Sequence, residues 1–547
     1  MEEFDSIIIG SGAGGLATAL CLSRAGQKVL VLEQHSVPGG WCHSFTLNGQ
    51  RFSPGVHYIG LLDEGQSTND LYKGLGVAND IVFFRMNTKA YDHCIINGKK
   101  FDFPAGIENL EKNLIQHFPK EEKNIKEYLS LVKKVSDELQ LIPKLKGFWQ
   151  NITVPFRTKH FGKFALFSLK RVVNWHVKDP VLKAVLNAQC GDHGLPPNRA
   201  SFPVHCSVMN HYFEGGFYPM GGGGGIVKAM TNKIKSYGGV VRTQKSVAKI
   251  LIENKKAFGV ELTSGEKIFA KNIISNADPS TTYLKLIGKE NISKKLTQKL
   301  EKTKYSVTSL ILFLTLDLDV TQYGIDSGNI WNFKDENVDD HFETLMNGNV
   351  TQGEEFPAFF MSCTTIKDPV SFNGRYHNFE VVTYVDYESF NEFDGDDYHC
   401  PKYEAFKNKI IEKFLNSVEK IIPNARKHIV QAELGTPKTN QFYINSTRGN
   451  VYGTEKTLRQ VGPFSYKNKT EFENLFLCGA STLSHGVTGA TYSGLATAAT
   501  ILNCKSDDLL IEDPTQKIHI FDAEDPSSWS DFIHKKREDK KRTFKQL

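Results

Sequence analysis

"SIIIGSGAGGLATALCLSRAGQKVLVLE" spans Ser6–Glu33, and how it is read decides the fold. No charge appears from Ser6 to Ser23, a run approaching the length of a membrane span. Acidic residues (Glu2, Glu3, Asp5) precede it where a signal peptide carries basic ones, and glycines interrupt it, so secretion and anchoring are not expected. A β-α-β unit accounts for every feature. Ile7–Ile9 is a short apolar strand, Gly10-Ser11-Gly12-Ala13-Gly14-Gly15 a turn, and Leu16–Ala25 a helix ended by Gly26. Lys28–Leu32 is a second strand that finishes on Glu33.

Gly10, Gly12 and Gly15 satisfy G-x-G-x-x-G between a strand and a helix, with an acid 23 residues beyond the first glycine. The first glycine makes the tight turn, the second lets backbone approach a pyrophosphate, and the third lets helix and strand pack closely. The helix N-terminus adds partial positive charge, and Glu33 is placed to bind the adenosine ribose hydroxyls. A dinucleotide site is therefore expected.

Three further stretches bear on which dinucleotide. "VPGGWCHSFTLNGQRFSPGVHYIG" (Val37–Gly60) follows the second strand with another diglycine, where an NAD enzyme would continue into a helix. "NLFLCGASTLSHGVTGATYSGLATAAT" (Asn474–Thr500) reads as a buried strand, a glycine turn and a small-residue helix from about Thr488, a second helix N-terminus for the cofactor. "FYPMGGGGGIVKAM" (Phe217–Met230) leads into Gly238–Pro279, whose short alternating segments read as an antiparallel meander.

These stretches resemble the phytoene desaturase, carotenoid isomerase and retinol saturase group of FAD-dependent oxidoreductases, within the amine-oxidase-like flavoproteins. The likeness runs from residue 5 to about 504 and includes Pro38-Gly39-Gly40, Ser275-Asn276-Ala277-Asp278-Pro279 and Thr436–Gly453. His57-Tyr58-Ile59-Gly60, Asn210–Pro219 and Thr436–Gly453 look closest to retinol saturases, whereas "GASTLSHG" looks more like desaturases. The resemblance implies pyrophosphate contacts at Gly10, Gly12, Ala13, Gly14 and Gly15, ribose at Glu33, and Gly39, Gly40 and Trp41 along the ribityl chain and flavin. It further implies a backbone contact from Val247 to adenine, with Gly479, Ala480, Gly489 and Ala490 near the isoalloxazine. Two departures stand out. Many relatives carry an acid where Ala480 stands, so Ser481 or backbone must serve. Amine oxidases carry arginine where Trp41 stands, which counts against an amine substrate.

The implied fold class is α/β: a Rossmann-like FAD-binding domain of amine-oxidase type, a mixed α+β substrate domain, and a membrane-surface helical region. The FAD domain is expected at 1–65, 215–285 and 465–505, the substrate domain at 66–214 and 286–464, and a C-terminal extension at 506–547. Ser306–Val320 and Asn378–Tyr387 read as strands. Lys402–Ile422 reads as a helix whose apolar stripe belongs to a core. Within the membrane-association region 141–180, Lys144–Lys178 holds eight basic residues, no acid, and interleaved aromatics including Phe148, Trp149, Phe164 and Trp175. It fits either a solvated basic face over buried rings or a patch on an anionic lipid surface. The charge-rich tail His534–Leu547 reads as a mobile or weakly docked end.

Composition narrows the remaining classes. In 547 residues, 66 basic against 61 acidic side chains leave a net charge of +5, which gives a nucleic-acid role no support. Nine scattered cysteines without a CxxC pair argue for a reducing, cytoplasmic setting with no structural metal. His57, Tyr58, His211, Tyr212, Glu214 and His485 are the proton-handling candidates, each of which also reads as a hydrogen-bonded structural residue. No second G-x-G-x-x-G follows a strand, so electrons are expected from an external donor or acceptor such as NAD(P)H or a redox partner. The expected reaction saturates or desaturates a C=C bond of a lipophilic polyene or isoprenoid. The alternatives are a redox-neutral isomerase, a flavin-free prenyl-binding escort protein and an amine oxidase.

Overall fold

A computed structural model describes residues 3–141, 157–393, 395 and 400–546. The opening stretch forms β1 (Glu3–Ile9), α1 (Ala13–Arg24) and β2 (Val29–Leu32). Much later the chain returns with α2 (Gly223–Ser236), β3 (Val240–Arg242), β4 (Val247–Glu253), β5 (Lys256–Leu262) and β6 (Lys267–Ser275). Later still it supplies β7 (Leu475–Leu477) and α3 (Gly486–Leu502). All join one sheet or pack on it.

The parallel order β3-β2-β1-β6 is flanked by β7, while β4 and β5 run antiparallel onto β6. The nine-residue β6 serves two neighbours along one edge: its first half pairs with β5 and its last three residues with β7. Side chains alternate across the parallel core as the two-residue period requires. Ile8, Val29 and Val31 face the helical layer with α1 and α2, whereas Ile7, Ile9, Leu30 and Leu32 face the meander side.

A second seven-stranded sheet has the order 429–435, 308–316, 377–385, 358–363, 329–333, 92–96, 99–103. Its pairs are antiparallel except Asn329–Phe333 beside Asp92–Ile96. The largest apolar core lies between this sheet and the helices Glu122–Leu141, Phe202–Tyr212 and Pro401–Glu419. A small sheet joins His519–Asp522, Val82–Arg85 and Phe217–Pro219.

The charge-rich tail differs from its sequence reading. It is a helix, Asp531–Gln546, anchored by the fully buried Ile533 and by Trp529 against Phe84. Three apolar residues among many lysines are too few to register as a pattern. In the region 141–180, Lys144, Lys146, Phe148 and Trp149 lie outside the described residues. Of the rest, Lys159, Lys163, Lys170 and Arg171 are exposed, Phe164 is buried, and Leu166 and Trp175 are 78% and 52% exposed. Among the described residues no helix is long and apolar enough to cross a membrane.

Candidate functional site

The two glycine segments from opposite ends of the chain meet at the carboxyl edge of β1. Thr18 Oγ1 donates to Gly494 O at 3.0 Å and a Cβ on Gly494 would stand 2.1 Å from Gly14 O, so α1 and α3 touch backbone to backbone. A Cβ on Gly14 would stand 2.9 Å from Gly479 N and 3.0 Å from Ala490 O. Asn276, one residue past β6, wedges its amide among Gly12, Gly14 and Gly479. Its own N–H is held by Ile9 O at 2.9 Å.

Between these segments runs one long cavity with about 1220 Å³ of empty space, its open mouth included. Gly10, Gly12, Ala13, Gly14, Glu33, Gly39, Gly40, Trp41, Val247, Gly479, Ala480 and Ala490 line it. Gly15, Ser481 and Gly489 do not. Gly15 lies against Gly10 O, where a Cβ would approach to 2.2 Å, and so supplies the close helix–strand contact. Ser481 Oγ accepts from Thr454 N at 3.2 Å, and Gly489 abuts Ser484.

Glu33 is fixed before any ligand arrives: Oε2 accepts from Ser11 N at 3.0 Å and Ser11 Oγ at 2.5 Å, and Oε1 from His35 N at 2.9 Å. Two helix N-termini reach the wall, α1 through Ala13 and Gly14 and α3 through Gly486 and Val487. Neither carries a side-chain cap, so their amides and partial positive charge remain available to an anion or a ring carbonyl. α3 begins at Gly486, two residues before the glycine pattern indicated, because His485 takes the cap position.

None of the six proton-handling candidates lines this cavity. Glu214 is exposed on the surface. His211 Nε2 accepts from Gly60 N at 2.9 Å, and burial holds its pKa down at about 4, a structural acceptor. His485 donates Nε2–H to Asp192 O at 3.2 Å, keeps Nδ1 buried without a partner among the described residues, and is pushed down to about 3 by burial and by Lys456. His57 Nδ1 meets Glu380 Oε2 at 3.0 Å, and Glu380 Oε1 accepts from Ser53 N at 2.5 Å. Tyr58 donates toward Asp192 at 2.7 Å and Asp92 at 3.2 Å, its ring stacked on Tyr212 at 4.0 Å.

His57 and Tyr58 thereby enter a buried polar network that the sequence did not disclose. Lys367, fully buried, donates to Asn329 Oδ1, to His57 O at 2.8 Å and to Ser362 Oγ at 2.6 Å. Burial lowers it to about 7, against the pull of Glu380 and Asp92. Asp92 accepts from Asn329 at 2.8 Å and Gln189 at 2.9 Å, and burial raises it to about 6. A second buried lysine, Lys456, donates to Ala480 O at 2.5 Å and is lowered to about 7 by burial. These residues lie far apart in sequence, and none belongs to a spaced motif. Only Asn276, inside Ser275–Pro279, carried a readable signal.

Comparison with known proteins gives the frame for this geometry. The pattern of flavin-containing amine oxidoreductases matches residues 13–502. The chain belongs to that family. It is 31% identical over 527 residues to the all-trans-retinol 13,14-reductase of Danio rerio, covering 92% of this chain and 86% of that protein. It is 26% identical to the chloroplastic prolycopene isomerase 1 of an Oncidium hybrid, covering 91% and 83%. A putrescine oxidase structure superposes with a TM-score of 0.61 at 15% identity, over 92% of this chain and 99% of that one, a likeness of fold.

A flavin dinucleotide fits the cavity. Its glycine end has no room for side chains, since a Cβ on Gly12 would stand 2.6 Å from Asn276 Nδ2, so backbone alone is offered to a pyrophosphate. At the other end the uncapped amides of α3 stand ready for polar atoms of a ring.

Proposed function

We propose that this protein is an FAD-dependent oxidoreductase that adds hydrogen across a C=C bond of a lipophilic polyene such as a retinoid or carotenoid. The observation that carries it is the single cavity closed by both glycine segments, with Trp41, Tyr452, Val487 and Ile444 rather than a charged cage along its walls. Reduced flavin supplies a hydride at N5; the protein orients the alkene, excludes water and provides the proton. Gly10, Gly12, Ala13 and Gly14 would hold the pyrophosphate, Glu33 the ribose, and Gly39 to Trp41 with Gly479, Ala480 and Ala490 the flavin end. Trp41 in place of an arginine, and the identity with a retinol reductase over nearly the whole chain, support an alkene over an amine.

The isomerase relative favours a second reading, in which reduced flavin rearranges the polyene without net redox change. Product mass separates them. Reduced enzyme under argon with retinol or a cis-carotenoid yields a product two hydrogens heavier on our reading. An isomer of unchanged mass establishes the second reading, and unchanged substrate defeats both.

The electron donor is proposed to be external. The face bearing Lys159, Lys163, Arg171, Leu166 and Trp175 is proposed as the port to a lipid surface. Arg171 lies over Phe167 and Trp175 at 4.8 and 5.0 Å, an arrangement that presents charge and aromatic rings together.

A further inference from the structure

The carboxylate pair at Tyr58 contains an imbalance of hydrogens. Asp92 receives two side-chain amides, from Gln189 and Asn329, and lies in the field of the Lys367 ammonium. Asp192 receives neither. Among the described residues its carboxylate has one hydrogen-bond partner, the Tyr58 hydroxyl at 2.7 Å, and that hydroxyl also stands 3.2 Å from Asp92 Oδ2. A single phenolic hydrogen cannot serve two anions, and two carboxylates sharing one phenol in a largely desolvated site do not both ionise. The pair therefore holds one more proton, on the member whose charge is least supported. With Asp192 protonated, it donates to the Tyr58 oxygen, Tyr58 donates to Asp92, and every group is satisfied. Burial and the charge of Asp92 push Asp192 well above the usual carboxylate range.

We propose that Asp192 is the proton donor of the reduction, delivering its proton to the alkene carbon that does not receive the hydride. The assignment rests on the polyene-reductase reading above. Its position carries it: Asp192 is half-buried although Gly191 and His193 beside it are buried. The turn that carries it is tied to the cavity wall through Tyr452 and to the start of α3 through His485. His485, which caps α3, donates to Asp192 O, and the cavity-lining Tyr452 donates to Gly191 O at 3.3 Å. The phenols and the imidazole around it offer no competing acid. Tyr58, Tyr212, Tyr384 and Tyr452 are phenols held above their ordinary range by burial, and His485 is a neutral imidazole.

The step balances. A hydride from reduced flavin brings two electrons to one carbon as the π bond breaks. The Asp192 O–H bond breaks as the second C–H bond forms, so the alkene gains two hydrogens and the flavin is oxidised by two electrons. Asp192 is left as a carboxylate, toward which the Tyr58 hydroxyl swings, and water returns the proton. Tyr58 is a positioning residue, its ring fixed by the stack on Tyr212.

Two measurements on the FAD-loaded protein test this. In substrate-free enzyme, infrared spectroscopy should show a deuterium-sensitive carbonyl band of a protonated side-chain acid that disappears in Asp192→Asn and persists in Tyr58→Phe. On anaerobic mixing with polyene, reduced Asp192→Asn should reoxidise at least about 10²-fold more slowly than wild type, the scale of general-acid catalysis. Its FAD content and polyene affinity should not change, since asparagine is isosteric with the neutral acid. A band that survives in Asp192→Asn, or a variant rate within threefold of wild type, overturns the proposal. A wild-type enzyme that no polyene reoxidises overturns the functional reading and the donor role with it, and the wild-type rate distinguishes that failure from one confined to Asp192.

Discussion

Gly494 has room for a hydrogen and nothing more. A Cβ there would stand 2.1 Å from Gly14 O and 2.9 Å from Ala17 Cβ, so any side chain pushes α3 off α1. Gly494→Val should cost at least about 1–3 kcal/mol, the range for overpacking a filled contact, and weaken FAD retention as the walls separate. Thermal melts with flavin absorbance after gel filtration read both effects. His211 supports a pH prediction. Its folded-state value of about 4 lies below the ordinary value of about 6.5, so between those limits the unfolded chain binds a proton that the folded protein does not. Stability therefore falls as pH falls from about 6.5 to 4, by up to about 1.4 kcal/mol per unit from this residue. His211→Gln, which keeps an acceptor for Gly60 N, should flatten that slope in urea melts at pH 7 and 5; an unchanged slope would refute it.

At the scale of elements, legibility followed locality. The β1-α1-β2 unit was readable because its turn, helix and strand are contiguous, and the closing glycine helix because its small residues permit the backbone contact seen at Gly494. The helix read at 402–422 forms as Pro401–Glu419, and the strands read at 306–320 and 378–387 form as Thr308–Leu316 and His377–Val385. The parallel pairing of Asn329–Phe333 with Asp92–Ile96, which brings Asn329 to Asp92, was not legible because their contact spans 237 residues. Asp192 was missed for the same reason: an aspartate in a short 3-10 turn has no pattern until Tyr58 and Asp92 surround it. The last strand supports a prediction of its own. Deleting 516–547 removes His519–Asp522 from the edge of Val82–Arg85 and uncovers the pocket filled by Trp529 and Ile533. Two large apolar side chains at about 1.5–3 kcal/mol each set the expected loss at about 3 kcal/mol or more, measurable as a lower urea midpoint. An unchanged midpoint would show that the tail contributes no stability.

For the whole molecule, we propose a route from a lipid surface, met by the exposed basic-aromatic face, to the flavin cavity on the nucleotide sheet. If that face meets lipid, Lys159→Glu with Lys163→Glu should weaken binding to anionic liposomes severalfold and leave flavin content untouched; equal binding would reduce the face to a solvated one. The most direct test of the central claim is an anaerobic titration of the photoreduced holoenzyme with retinol or a carotenoid, followed by the flavin spectrum. The account predicts one bound FAD per chain and its reoxidation by one equivalent of polyene. A protein that takes up no FAD, or whose reduced flavin survives an excess of every polyene offered, would contradict it.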